Sequence, residues 1–346
     1  GPREQGFDVN IAGDHTGSPL SYFAPFKSSR AGAPARFMPG LEMAPAGEYL
    51  TDRLAQEAEA FIAANARRPF FLYLPHYGVH TPLKAPEELV ATYPKWDGKH
   101  AGKQQNPIYA AMLERVDASV GRIVARLEEL GLTENTLLVF TSDNGGLAVI
   151  EGPNTPATFN GPLREGKGFL YDGGLRVPLI VAGAGVAAKG TTSAVPVWAG
   201  DLLPTLAELC KLPLDGAHRE KLDGRSIASL LGGGSIPERS LYWHYPHYAN
   251  QGGKPGGAVR EGNWKLVEFY ENGRRELYDL TAGVGESRNL AADQPEVVAR
   301  LAQQLDDWRK SVDAQMPTPN EAYVANPQGA DGTVTLPVRT AEIHGL

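Results

Sequence analysis

Twice within the first 146 residues a stretch of helical periodicity runs, after a short gap, into a compact apolar segment, and this repeat narrows the possible folds more than any other feature. Residues 48–66, EYLTDRLAQEAEAFIAANA, put their apolar side chains on one helical face and lead into FFLYLP at 70–75. Residues 109–131 lead in the same way into TLLVFTSDNGG at 136–146, and a third apolar run, LRVPLIVAG, precedes the helical DLLPTLAELC. Helices alternating with buried strands predict an α/β domain with a mostly parallel sheet flanked by helices on both faces. From about residue 238 the pattern changes to short aromatic runs split by turns such as Asn272-Gly273, which predicts a smaller antiparallel sheet. The amphipathic PEVVARLAQQLDDWRKSV should pack on that sheet, and the tail after Pro317 should lie extended over the surface. The expected units are therefore residues 1–237 and 238–346.

A formal net charge of -7 argues against nucleic acid as a partner, because a phosphate backbone is held by clustered Lys and Arg. No apolar run approaches the roughly 18 residues a membrane span needs. The single cysteine, Cys210, excludes an internal disulfide and reads as a small buried thiol in an apolar helix.

Three segments carry candidate chemistry. Asp143-Asn144-Gly145-Gly146 follows an expected buried strand, and ligands collect at the carboxyl ends of strands in open α/β sheets. Asp and Asn offer hard oxygens suited to Ca²⁺ or Mg²⁺, although an ordinary Asn-Gly turn would read the same way. PHYGVHTPLKAP brings His76 and His80 to what should be the same rim, and the imidazole of His80 is a candidate general acid for a leaving alkoxide. GPLREGKGFLYDGGLRVP centres on Lys167. It nearly spells a phosphate-binding loop, but Gly168 stands where a hydroxyl residue should hold Mg²⁺ and no buried strand precedes it. A lysine among glycines can still set its ammonium against an anionic ester.

Taken in order, these segments resemble the sulfatase family, the formylglycine-dependent branch of the alkaline-phosphatase-like superfamily. The likeness runs from GFDVNIAG and SYFAPF through HTP, TSDNGG and LREGKGFLYDGGLRVPLI to YWHYPHYANQGGKPGGAVREGNWKLVEFY and the final helix. It implies that Asp143 and Asn144 ligate one Ca²⁺ (Mg²⁺ being the other candidate), that Lys167 contacts the sulfate, and that His80 contacts the sulfate or ester oxygen and protonates the leaving group. Arg164 and His76 should support them and touch substrate. Asn144 stands where two-metal phosphatases of the superfamily place a His, which favours a single hard cation.

The resemblance also implies a formylglycine nucleophile made from the Cys or Ser of a C/S-x-P-x-R motif early in the protein. Cys210 is followed by Lys-Leu-Pro-Leu, so it cannot be that residue. The expectation is that the nucleophile, its modification and further metal ligands belong to a segment outside these 346 residues, so that the chain alone binds Ca²⁺ weakly and turns nothing over. His244, His247 and Arg260, in the aromatic stretch around a Gly-rich loop, are expected to bind substrate, favouring a sulfated carbohydrate over a simple aryl sulfate. A phosphodiesterase or phosphonate hydrolase of the same superfamily, and a non-catalytic glycan-binding remnant, stay open beside this reading. The resemblance implies a periplasmic or extracellular location.

Overall fold

The computed structural model describes residues 1–28, 34–95 and 103–320. The helices are α1 (Leu50–Asn65), α2 (Glu87–Val90), α3 (Pro107–Glu129), α4 (Asp172–Leu175), α5 (Leu202–Leu209), α6 (Gly216–Arg219), α7 (Ala228–Leu231) and α8 (Pro295–Ser311). The strands are β1 (Leu137–Thr141), β2 (Leu179–Gly183), β3 (Ser240–Tyr245), β4 (Gly256–Glu261), β5 (Trp264–Phe269) and β6 (Arg275–Asp279).

Asn106 starts α3 by accepting from the N–H groups of Ile108 and Tyr109, with Pro107 preset for the first turn. The apolar faces of α1 and α3 meet through Ala58, Ile62, Ile123 and Leu127, and Phe70, Leu72 and Leu74 lie beneath them. A larger core gathers the N-terminal loops, with Tyr22, Phe26, Met38, Leu50 and Met112 essentially inaccessible to solvent.

Two expectations about the sheet need correction. Residues 70–75 are extended but form no ladder with any described residue, and Phe71 and Tyr73 on the outward face are 63% and 65% exposed. The continuous apolar run suggested cover on both faces; the helices cover one. In place of the expected mostly parallel pairing, β1 pairs with β2 antiparallel, Leu137 opposite Gly183 and Thr141 opposite Leu179. The reason lies in the connection. A parallel partner needs a crossover of a dozen or more residues along the sheet face, usually a helix. Residues 142–178 contain only the four-residue α4 and remain at the end of β1, so the chain re-enters from the end it left.

The second sheet is as expected, an antiparallel meander in the order β3-β4-β5-β6. The pleat gives it two different faces. Val259, Leu266 and Leu277 pack under Leu301, Ala302 and Leu305 of α8, and Tyr242 stacks on Trp308 at 5.0 Å. Ala258, Val267, Phe269 and Tyr278 face the other way and bury Leu170 and Tyr171 from the β1–β2 connection. Cys210 is exposed at the end of α5, not buried, because the apolar stripe of that short helix ends before it. Residues 321–346, which include most of the tail expected to run over the surface, lie outside the described residues.

Candidate active site

The β1–β2 connection is two glycine-rich loops bonded to each other. The N–H of Gly145 donates to Gly174 O at 2.9 Å, and that of Lys167 to Gly146 O at 3.1 Å. Asn160 bridges the same strands, donating to Gly146 O and Glu165 O and accepting from the Gly146 N–H. The approach is so close that a methyl group on Gly145 would overlap the carbonyl of Gly173. Glycine is thus required here by contact between backbones.

At this rim Lys167 Nζ lies 3.0 Å from His80 Nε2. His80 Nδ1 lies 2.7 Å from Thr81 O, which can only accept, so Nδ1 carries a proton and Nε2 presents its lone pair to the ammonium. Tyr22 O–H donates to Tyr77 O and His80 O and so anchors the turn from the N-terminal core. Asp143 and Asn144 begin the strand of backbone that ends, at Gly146, on Lys167. The Asp143 carboxylate is exposed and takes no hydrogen bond from a described residue. Asn144 Nδ2 donates to Gly145 O, which leaves its Oδ1 free among the described residues. Two unpartnered hard oxygens suit Ca²⁺ as part of the roughly six to eight it takes. Among the described residues no group of three or more His, Cys, Asp and Glu side chains gathers to complete such a site.

The remaining sequence candidates separate. His76 turns inward: Nε2 lies 3.1 Å from Ser119 Oγ on α3, Nδ1 is buried without a partner among the described residues, and burial pushes its pKa down to about 4. Arg164 lies behind Lys167, its guanidinium 3.9 Å over the Tyr171 ring and donating to Tyr278 O–H and Glu286 O. Arg260 is half-buried beside Asp172 and Glu286, where burial lowers its pKa against the pull of those carboxylates. His244 is on the α8 face of the sheet, within hydrogen-bonding distance of Tyr270 O–H and Gln315 O, so the pleat carries it away from Lys167. His247 is exposed and packs edge-on against Tyr245. The structure therefore brings His80 and Lys167 into contact, ties Asp143 and Asn144 to them through backbone, and does not bring His76 or His244 to them.

Gln251 also bears on the site, whereas the motif-like pair Ser235 and Arg239 does not. Gln251 lies against the loop, for a side chain on Gly168 would meet it, and its Nε2 donates to Glu151 at 2.8 Å. Ser235 and Arg239 supply one literal S-x-P-x-R spacing, at Ser235-Ile236-Pro237-Glu238-Arg239, which the reading from Cys210 passed over. Arg239 there is held by buried Asp201 through both terminal nitrogens, and Ser235 is exposed, with no described contact to Lys167 or His80. The spacing at 235–239 serves an internal ion pair.

This frame is the alkaline-phosphatase-like α/β architecture. It matches the crystal structure of Ps i-CgsB in complex with k-i-k-neocarrahexaose with a TM-score of 0.68 and 28% identity, over 83% of this chain and 59% of that one. The family model described as Sulfatase matches residues 3–212, and that described as N-sulphoglucosamine sulphohydrolase, C-terminal, matches residues 165–311, so the chain belongs to the sulfatase family. It is 34% identical over 270 residues to a Sulfatase of Formosa agariphila, covering 72% of this chain and 47% of the relative. It is 29% identical over 283 residues to an N-acetylgalactosamine-6-O-sulfatase of Bacteroides thetaiotaomicron, covering 75% and 51%. The chain spans about half the length of these two curated relatives.

Proposed function

We propose that this chain supplies the anion-binding and proton-transferring groups for hydrolysis of a sulfate ester of a carbohydrate. The observation that carries the reading is the 3.0 Å contact of Lys167 Nζ with His80 Nε2, with Asp143 and Asn144 on the backbone that Lys167 N–H bonds at Gly146. A sulfate monoester carries a single negative charge, and one ammonium answers it. When the ester binds, Lys167 turns its donor from His80 to a sulfate oxygen, and the freed His80 Nε2 takes up a proton from water, which it is placed to deliver to the bridging oxygen as that oxygen leaves. The Nδ1–H of His80 on Thr81 O keeps the ring in the orientation this needs. Asp143 and Asn144 would hold Ca²⁺, which when bound would withdraw charge from the sulfate oxygens. The nucleophile is assigned to none of the groups described above. A relative named as an N-acetylgalactosamine-6-O-sulfatase and a similar structure in complex with k-i-k-neocarrahexaose support the carbohydrate class, and Gln251 with Glu151 offers polar groups beside the Gly168 loop. A periplasmic or extracellular location is part of the same proposal.

The test is binding of N-acetylgalactosamine 6-sulfate to the purified chain, followed by saturation-transfer NMR with and without Ca²⁺. Binding should be lost in Lys167→Met and absent for the unsulfated sugar. Equal signals from the sulfated and unsulfated sugars would overturn the reading.

A further inference from the structure

Lys265 is the most deeply buried charged residue of the second sheet, at 0% exposure, between Trp264 and Leu266 in β5. Its ammonium lies 2.7 Å from Asp172 Oδ1 and 2.8 Å from Glu286 Oε1. Glu286 in turn accepts the backbone N–H of Asp172 through Oε2 at 2.6 Å. Burial pushes the Glu286 carboxyl above the usual carboxylate range even with Lys265 against it. Arg260, cross-strand from Lys265 and itself beside Arg176, and Arg164, which donates to Glu286 O, bring further charge to this cluster.

Such a cluster is a poor device for stability alone, because buried ion pairs are often replaceable by packed apolar side chains with little loss. What it supplies is position. Asp172 opens α4, the turn that presents Gly174 O to the Gly145 N–H, and Gly173 N–H closes back on Arg164 O. The segment 164–174 thus holds Lys167 at one end and the backbone of 143–146 at the other, and Lys265 is its buried ionic attachment to the second sheet, beside the packing of Leu170 and Tyr171 and the bond from Arg164 to Tyr278. We propose that Lys265 is a positioning residue: through Asp172 and Glu286 it fixes the loop so that Lys167 meets His80. This rests on the reading of Lys167 and His80 as the anion-binding pair.

The experiment uses the full chain with ¹³C-labelled histidine. The His80 ring signals, identified by His80→Gln, report on Lys167 directly, and Lys167→Met gives their value when the ammonium is gone. In Lys265→Met they should move toward the Lys167→Met value, and the affinity for inorganic sulfate should fall by about tenfold. Because Lys265→Met leaves two buried carboxylates facing each other, the variant Lys265→Met with Asp172→Asn and Glu286→Gln is measured in parallel; with its charges removed together it should fold and show the same displacement. Wild-type His80 signals in a folded variant of either kind would overturn the proposal. If the wild-type chain binds no sulfate, the reading of the site fails, while the His80 signals still decide whether Lys265 positions Lys167.

Discussion

Replacing His76 with Gln should remove a distinct step from the acid sensitivity of this protein. The half-buried ring lies against α3 with Nδ1 buried and unpartnered among the described residues, and burial alone pushes its pKa from 6.5 down to about 4. As pH falls through 6.5, unfolded chains take up a proton that folded chains refuse, so the native state loses ground. The contribution is fully present above pH 6.5 and is lost progressively until the folded ring protonates near pH 4. The gap between those values, at about 1.4 kcal/mol per pH unit, comes to roughly 3 kcal/mol. Gln occupies similar space and does not titrate. Urea unfolding across this interval should therefore show the wild type falling by roughly 3 kcal/mol more than His76→Gln. The subtraction removes what every other group contributes. A His76 ring that titrates near 6.5 by NMR, or equal pH slopes for the two proteins, would refute the reasoning.

Three other perturbations test separate parts of the structure. Gly145→Ala should cost about 1–3 kcal/mol in thermal or urea unfolding, because the new methyl overlaps Gly173 O, and it should shift the His80 ring signals; an unperturbed variant would show that the two loops are not in contact. Asp201→Asn should cost about 3 kcal/mol by stranding Arg239 in the interior. Burial pushes Asp201 up, but the hydrogen bonds from Arg239 and from the N–H groups of Arg225 and Trp198 hold it below its ordinary 3.8. Its stabilisation is thus present above that value and lost as pH falls through the folded pKa, a later acid phase than that of His76; a pH-independent difference between Asp201→Asn and wild type at acid pH would contradict this. Trp308→Ala should cost about 3 kcal/mol by removing the stacked partner of Tyr242, and an unchanged urea midpoint would place α8 elsewhere.

Much of this was legible in the chain because its cues are local. The apolar runs around 136–141 and 179–183, the Asn-Gly and Gly-Lys-Gly punctuation, and the alternation in β3 to β6 are each set by neighbours in sequence. Direction of pairing was not, because the periodicity of β1 and β2 is the same in parallel and antiparallel ladders; only the absence of a crossover helix in 142–178 tells them apart. The inward turn of His76 depends on Ser119, 43 residues away, and nothing beside it in sequence announces that. His244 could have been placed correctly, since it alternates with Trp243, which packs toward Leu170 and Tyr171. Lys265 looks like a solvent-facing residue in WKLVEF, and only Asp172 and Glu286 reveal it as buried. The spacing from Ser235 to Arg239 warns in the other direction, since a motif can match letter for letter while its arginine answers a partner in the interior.

Segment 164–174 joins Lys167 to the backbone that carries Asp143 and Asn144, and it does so through short, direct bonds. Evolution cannot retune one grip there and leave the other alone, so variation in this stretch should be inherited as a block. Gln251 and Glu151, which meet through a single bond between side chains, are under no such restraint. Change could begin with those two and disturb neither grip.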